Sequence, residues 1–167
     1  MGAIIVTGGT CGIGRAITLT LAERGFDVVA FGIEARQPSS TAENTIAPLQ
    51  KKLAALGLTA EIMAADVTQS ADVKRVIDFA LEKYGAIDGL VNNAAIGPLG
   101  TVPETSEEIW DQVIAVNLKG TFLCCKEVLP HMTRQKRGSI VNIGSGSGWG
   151  KPNMAAYSAS KGGIFAL

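Results

Sequence analysis

Five short apolar runs, at residues 3–6, 28–31, 60–64, 89–91 and 139–143, recur along the chain with longer amphipathic stretches between them. Each run is apolar almost throughout instead of alternating with polar residues, so each reads as a strand covered on both faces. A sheet buried on both faces is parallel, and parallel neighbours need crossovers of a dozen residues or more. The intervening stretches, at 13–23, about 42–55, 71–84 and 106–133, have the length and apolar spacing of helices. A last helix begins near Met154 and continues to Leu167. The order β-α-β-α-β-α-β-α-β-α predicts an α/β fold, a doubly wound parallel sheet with right-handed crossovers.

Local chemistry supports these boundaries. Pro48 suits the first turn of the second helix and not its centre. Ser70 is expected to cap the third helix and Gly85 to end it. Ser106-Glu107-Glu108 places a capping hydroxyl and two carboxylates at the positive end of the fourth. The loop at 32–41 is rich in Pro, Ser and Gly but too short to link domains, so residues 1–167 read as one domain. The chain stops inside an apolar helix at Ile164-Phe165-Ala166-Leu167, so the C-terminal strands and whatever covers them are expected to be missing.

Composition excludes several classes of function. Fifteen basic residues balance fifteen acidic ones, leaving no electrostatic footprint for a nucleic acid or an anionic membrane. No apolar stretch reaches the length of a membrane span, and the apolar start at 3–6 is too short for a signal peptide. The three cysteines include the adjacent pair Cys124-Cys125, no CxxC pair exists, and His131 is the only histidine. No metal site is expected, and a reducing, cytoplasmic setting fits best.

The segment Thr7-Gly8-Gly9-Thr10-Cys11-Gly12-Ile13-Gly14 follows the first strand and opens the first helix. Gly8, Gly12 and Gly14 allow a tight turn and close approach of a pyrophosphate, while the helix N-terminus offers free N–H groups and positive potential. The alternative is a glycine-rich turn that only links strand to helix. The missing Gly-Lys-Ser/Thr argues against a nucleoside triphosphate loop.

Discrimination between NAD and NADP is read at the end of the second strand, where a carboxylate would bind ribose hydroxyls. That place falls near Gly32, and the missing carboxylate favours NADP. Neither Cys11 nor Ile33 supplies positive charge; Arg36 could swing in, and Glu34 could oppose it. The choice between NADP and NAD stays open.

Asp66-Val67 ends the third strand, where a carboxylate either meets an adenine amino group or caps the turn at Thr68. Asn92-Asn93-Ala94-Ala95 ends the fourth, on the edge where such sheets bind ligands. The asparagines could lock loops while Ala94 lets backbone touch a ribose, or they form a polar turn. Tyr157 and Lys161 stand at i and i+4 and share a helix face. A free phenol titrates near pH ~10, too high for acid–base work at neutral pH, and a neighbouring ammonium favours the phenolate. Such a pair also arises by chance on a surface. Ser145 follows the fifth strand and could hydrogen-bond a substrate oxygen, with Ser147 as competitor and plain turn chemistry as the alternative. Asn117 sits mid-helix among apolar residues, against its propensity, which suits a buried carbonyl holding a water for proton relay.

Together these residues resemble the short-chain dehydrogenase/reductase family, and the match runs over essentially the whole chain. The glycine segment, Asp66-Val67, Asn92–Ala95, Asn117, Ser145 and Tyr157-x-x-x-Lys161 stand in the family's order and at family-like intervals. The resemblance implies a Rossmann-like fold and a catalytic tetrad of Asn117, Ser145, Tyr157 and Lys161. Cofactor contacts would come from Gly8, Thr10, Cys11, Gly12, Ile13, Gly14, Asp66, Val67, Asn92, Asn93, Ala94, Tyr157 and Lys161. It implies hydride transfer between NAD or NADP and a small-molecule carbonyl or secondary alcohol, as in the 3-oxoacyl-carrier-protein reductase and sugar or polyol dehydrogenase branches. It also implies a homodimer or homotetramer paired through the helices beginning near Ser106 and Met154. Two departures stand out: Ala95 replaces the family's usual Gly, and the family's substrate lid beyond the last helix is expected to be missing. The alternative is a truncated fragment that binds nucleotide or dimerises without turnover.

Overall fold

In the computed structural model, which describes residues 2–33 and 46–167, the five apolar runs form one parallel sheet in the order β3-β2-β1-β4-β5. The strands are β1 (Ala3–Thr7), β2 (Val28–Gly32), β3 (Glu61–Ala64), β4 (Ile87–Asn92) and β5 (Ser139–Asn142). The helices are α1 (Gly12–Glu23), α2 (Ile46–Ala55), α3 (Ser70–Tyr84), α4 (Glu107–Ile114), α5 (Gly120–Gln135) and α6 (Ala155–Ala166). Glu34, Arg36 and the expected helix start at Ala42 lie outside the described residues, as does most of the loop at 32–41. Pro48 does fall in the first turn of α2.

Burial on both faces holds for the inner strands β1, β2 and most of β4. It does not hold for β3 and β5, which stand at the sheet edges: no residue of either is fully buried, and Val141 is 48% exposed. Val28 and Ala30 of β2 pack on one side with Ile17 and Leu21 of α1. Val29 and Phe31 point the other way, into a core with Val73 and Val76 of α3 and Leu123 and Val128 of α5. The chain winds outward from β1 to β3, then returns to place β4 on the other side of β1. The loops after β1 and β4 therefore part at one topological switch, the place where open α/β sheets receive ligands.

Two further expectations need correction. Ser70 does not cap α3: the helix begins at Ser70 itself, Gln69 precedes it, and no side chain caps it there. Aspartates do the local work, with Asp66 Oδ1 accepting from the Thr68 N–H and Asp72 Oδ2 from the Asp66 N–H. The latter bond and Arg75 hold the Asp72 carboxyl below its ordinary range. The single long helix over 106–133 is interrupted by a π-helical segment, Ala115–Lys119, closed by the Gly120 N–H on the Ala115 carbonyl. The physical reason is Asn117, whose side chain turns into the protein, while Gly120 comes so near Val67 that a Cβ would lie 2.9 Å from its Cγ2. Other boundaries hold: Ser106 caps α4 by accepting from the Ile109 N–H, and Gly85 ends α3 at φ 73°. No helix among the described residues is long and apolar enough to cross a membrane.

Candidate active site

The glycine loop is shaped by what its glycines leave out. Gly8 and Gly12 adopt φ 60° and 50°, a region that penalises a Cβ. A Cβ on Gly14 would collide with the Gly8 carbonyl oxygen and the Asn93 amide, and one on Gly8 would lie 2.9 Å from Ala94 Cα. The loops after β1 and β4 thus touch backbone to backbone. Asn93 fastens them: its Nδ2 donates to the carbonyls of Thr7 (3.0 Å) and Gly8 (3.2 Å). Thr7 Oγ1 in return accepts from the N–H groups of Asn93 and Ala94, at 3.0 and 2.9 Å.

Cys11 precedes α1 without a side-chain bond to the first turn, and no acidic residue sits in that turn. Gly12 has nothing within 4 Å of a Cβ position, and Ile13 is 67% exposed, so the helix opens toward solvent. Thr10 is buried beneath it. A Cβ on Gly32 would lie 2.7 Å from Thr10 Oγ1, so the residue at the end of β2 lacks a side chain for a packing reason.

Across the switch, Asn117 gathers three segments. Its Oδ1 accepts from the Ile96 N–H (2.8 Å), and its Nδ2 donates to the Ile96 carbonyl (2.9 Å) and to Ser160 Oγ (3.0 Å). Its main-chain carbonyl accepts from the Thr121 hydroxyl, which takes one of the two lone pairs a water relay could use. Beyond Ile96, Gly97 lies against the Tyr157 ring, where a Cβ would be 3.2 Å from Cδ2. Gly100 then pairs with the entrance of α6 through bonds to Asn153 and from Ala155.

Helix α6 is seated on both flanks by glycines. A Cβ on Gly163 would meet Leu118 of the π-segment, and one on Gly148 would lie 2.9 Å from the Lys161 carbonyl carbon. Gly148 belongs to the 3₁₀ turn Gly146–Trp149, whose preceding residue is Ser145. Ser145 Oγ accepts from the Ser147 N–H at 3.2 Å, which leaves its own hydrogen available. Trp149 stacks on Phe165 with ring centroids 5.2 Å apart, closing the same contact at the surface.

Lys161 is 3% exposed, and its Nζ lies 5.8 Å from the Tyr157 ring centroid and donates to the Ile143 carbonyl just past β5. Burial holds its ammonium below the ordinary lysine range. Ile143 is itself fixed by its N–H on the Asn92 carbonyl.

The structure thus gathers Asn117, Tyr157 and Lys161 around α6, with Ser145 at the turn beneath it, and Gly8, Thr10–Gly14, Asn93 and Ala94 at the opposite lip. Two expected contacts face elsewhere. The Asn92 side chain is buried and reaches Asn142 Oδ1 and Cys125 Sγ, and the Val67 side chain packs in the core. Asp66 has one oxygen on the Thr68 N–H. The sequence reading passes over Thr7, Ile96 and Ile143, of which the last two act through main-chain groups that leave no mark on residue type. It also passes over Ser160, although this stands at i+3 from Tyr157 on the same helix face. No cluster of metal-ligating residues occurs among the described residues.

Comparison with known proteins agrees with this fold. A family model described as short chain dehydrogenase matches residues 2–167. The 3-oxoacyl-(acyl-carrier-protein) reductase FabG of Thermotoga maritima is 38% identical over 98% of this chain and 63% of its own. The 2-(S)-hydroxypropyl-CoM dehydrogenase 3 of Xanthobacter autotrophicus is 39% identical over 98% and 62%. Among solved structures, a metagenomic short-chain oxidoreductase in complex with NADP superposes with a TM-score of 0.85 at 34% identity, covering 99% of this chain and 72% of that one. An actinorhodin polyketide ketoreductase variant with NADPH gives 0.88 at 33%, covering 99% and 61%. The chain thus spans less than two thirds of the length of the curated relatives it matches. By its match to the family model and to these relatives, it belongs to the short chain dehydrogenase family.

Proposed function

We propose that this chain carries the nicotinamide-binding and proton-transferring machinery of an NAD(P)-dependent oxidoreductase acting on a carbonyl or secondary alcohol. The observation that carries the reading is the buried Lys161, held on the Ile143 carbonyl beside Tyr157 at the carboxyl edge of the sheet. With no carboxylate against it among the described residues, this buried ammonium carries a desolvation cost. Such perturbed groups mark functional sites.

The residues present fit a dinucleotide. The open space above Gly12 and the uncapped start of α1 suit a pyrophosphate, received by Gly8 and by Thr10–Gly14. Asp66 with the Val67 backbone would meet the adenine, while Asn93, Ala94 and the Asn92 backbone would line the ribose. Gly32 offers no carboxylate against a 2′-phosphate, and two of the solved relatives hold NADP or NADPH, so NADP is the first cofactor to test against NAD.

The bound nicotinamide would supply or accept the hydride. Tyr157 Oη gives a proton to the substrate oxygen in reduction and takes it back in oxidation. Lys161 turns its remaining donors to the ribose hydroxyls and keeps positive charge beside the phenol. The free hydrogen of Ser145 Oγ donates to the same substrate oxygen, stabilising charge that develops there. Asn117 fixes the loop and the helix around them and presents its carbonyl to a relay water. Self-association would run through α4, where Ile109 and Trp110 are 39% and 41% exposed, together with α6.

Tyr157→Phe provides the test. Oxidation of NADPH with a panel of ketones should fall at least ~1,000-fold, while the affinity for NADPH changes little. Retained turnover overturns the role of Tyr157. Cofactor binding without turnover of any ketone by the parent protein would favour a nucleotide-binding piece instead.

A further inference from the structure

We infer that Ser160 is a positioning residue that sets the main chain of Tyr157 for proton transfer; this rests on the oxidoreductase reading above. Ser160 is 0% exposed, and its Oγ accepts from Asn117 Nδ2 at 3.0 Å and donates to the Tyr157 carbonyl at 2.8 Å.

The direction of every bond in this linkage is fixed by one main-chain group. The Ile96 N–H can only donate, so the side-chain atom of Asn117 facing it is the oxygen. The Asn117 nitrogen must then face Ser160, and as an amide nitrogen it can only donate. One lone pair of Ser160 is thereby taken, and its hydrogen is directed to the Tyr157 carbonyl. Ordinary helix geometry gives that carbonyl one donor, the N–H four residues on. Ser160 adds a second, from inside the protein.

The two ends of this linkage converge on one ring. At the far end, Ile96 is followed by Gly97, whose backbone forms the surface on which Tyr157 Cδ2 rests. At the near end stands the main chain from which the same ring hangs. The hydroxyl of Ser160 ties the wall to the hinge. Without it, Asn117 Nδ2 keeps only the Ile96 carbonyl, and the first turn of α6 loses its inward tether. Proton transfer is sensitive to such shifts, since about 1 Å of misplacement costs on the order of 100-fold in rate. The neighbouring serine differs: Ser158 Oγ is buried with no hydrogen-bond partner, and it serves as the internal control.

The experiment compares the parent protein, Ser160→Ala, Ser158→Ala and Tyr157→Phe in the full chain, with ketone turnover, NADPH affinity by fluorescence and thermal melting. Ser160→Ala should lower kcat by about 10- to 100-fold with NADPH affinity within about twofold, while Ser158→Ala keeps its kcat. The inference is overturned if Ser160→Ala keeps kcat within about twofold, even with a lower melting temperature. It is equally overturned if kcat and NADPH affinity fall together, as a folding defect would cause, or if Ser158→Ala loses as much. Retained turnover in Tyr157→Phe defeats the assigned role of Tyr157 and with it this inference. No turnover in the parent defeats the oxidoreductase reading, so the two failures are distinguishable.

Discussion

The two lips at the carboxyl edge of the sheet, the loop after β1 and the first turns of α6, are built by opposite means. The loop after β1 is made by subtraction: glycines at 8, 12 and 14 remove side chains so that backbone meets backbone and the start of α1 stays open. The first turns of α6 are made by addition: Asn117, Ser160 and Lys161 are buried polar groups, each spending its hydrogen bonds on a named main-chain or side-chain partner. A lip of the first kind is sensitive to an atom added where backbones meet, at Gly8 and Gly14. A lip of the second kind is sensitive to any removed one.

The sharpest way to break this contrast is to add one carbon to the glycine lip at two places. Gly14→Ala puts a Cβ into the Gly8 carbonyl and the Asn93 amide, both held by β1 and β4. A stability loss of roughly 3 kcal/mol or more by urea denaturation is expected, with NADPH affinity weakened as the loop shifts. Gly12→Ala meets open space and bears only the backbone penalty of its positive φ, about 1–2 kcal/mol. An equal loss in the two would show that clearance does not govern this lip.

Removing atoms from the other lip comes next in size. Asn117→Ala leaves the Ile96 N–H, the Ile96 carbonyl and Ser160 without a partner they now share. A loss of about 2–4 kcal/mol is expected, and Asn93→Ala should cost less, because it frees only carbonyls. Urea midpoints for the two variants in the reverse order would contradict the account of Asn117 as the central tie.

The smallest effect is a slope. Burial lowers the proton affinity of Lys161 in the folded chain, so the unfolded chain binds that proton more tightly. Stability therefore rises with pH between the depressed native value and the ordinary lysine value near ~10.4, and the cost of the buried charge is felt in full below that interval. Lys161→Met should flatten this part of the profile, read from urea midpoints taken between about pH 8 and about pH 10.5. An unchanged slope would mean that other groups set it.

These differences also govern what the sequence makes readable. The apolar runs place all five strands to within a residue except at the start of β4, where Asp88 interrupts the run. They do not reveal that β3 and β5 are partly exposed edge strands. The glycine lip is equally readable, since a residue without a side chain is itself a record of close approach. The π-segment is hidden: its residues would serve an α-helix as well, and the bulge depends on Ile96, 21 positions away. Ser70 misleads because a capping residue type falls one position inside the helix, where Asp66 and Asp72 already serve the turn. Lys161 is visible as a residue, but its anchor is a carbonyl that any amino acid at 143 would provide.

The contact between Gly32 and Thr10 has a consequence for how such a protein could change over generations. A side chain gained at position 32 while Thr10 stands must displace the hydroxyl of a buried residue. Loss of the threonine side chain first removes that obstacle. The same two substitutions thus differ in cost with their order, and a carboxylate at the end of β2 is met with less obstruction after a change at position 10 than before it.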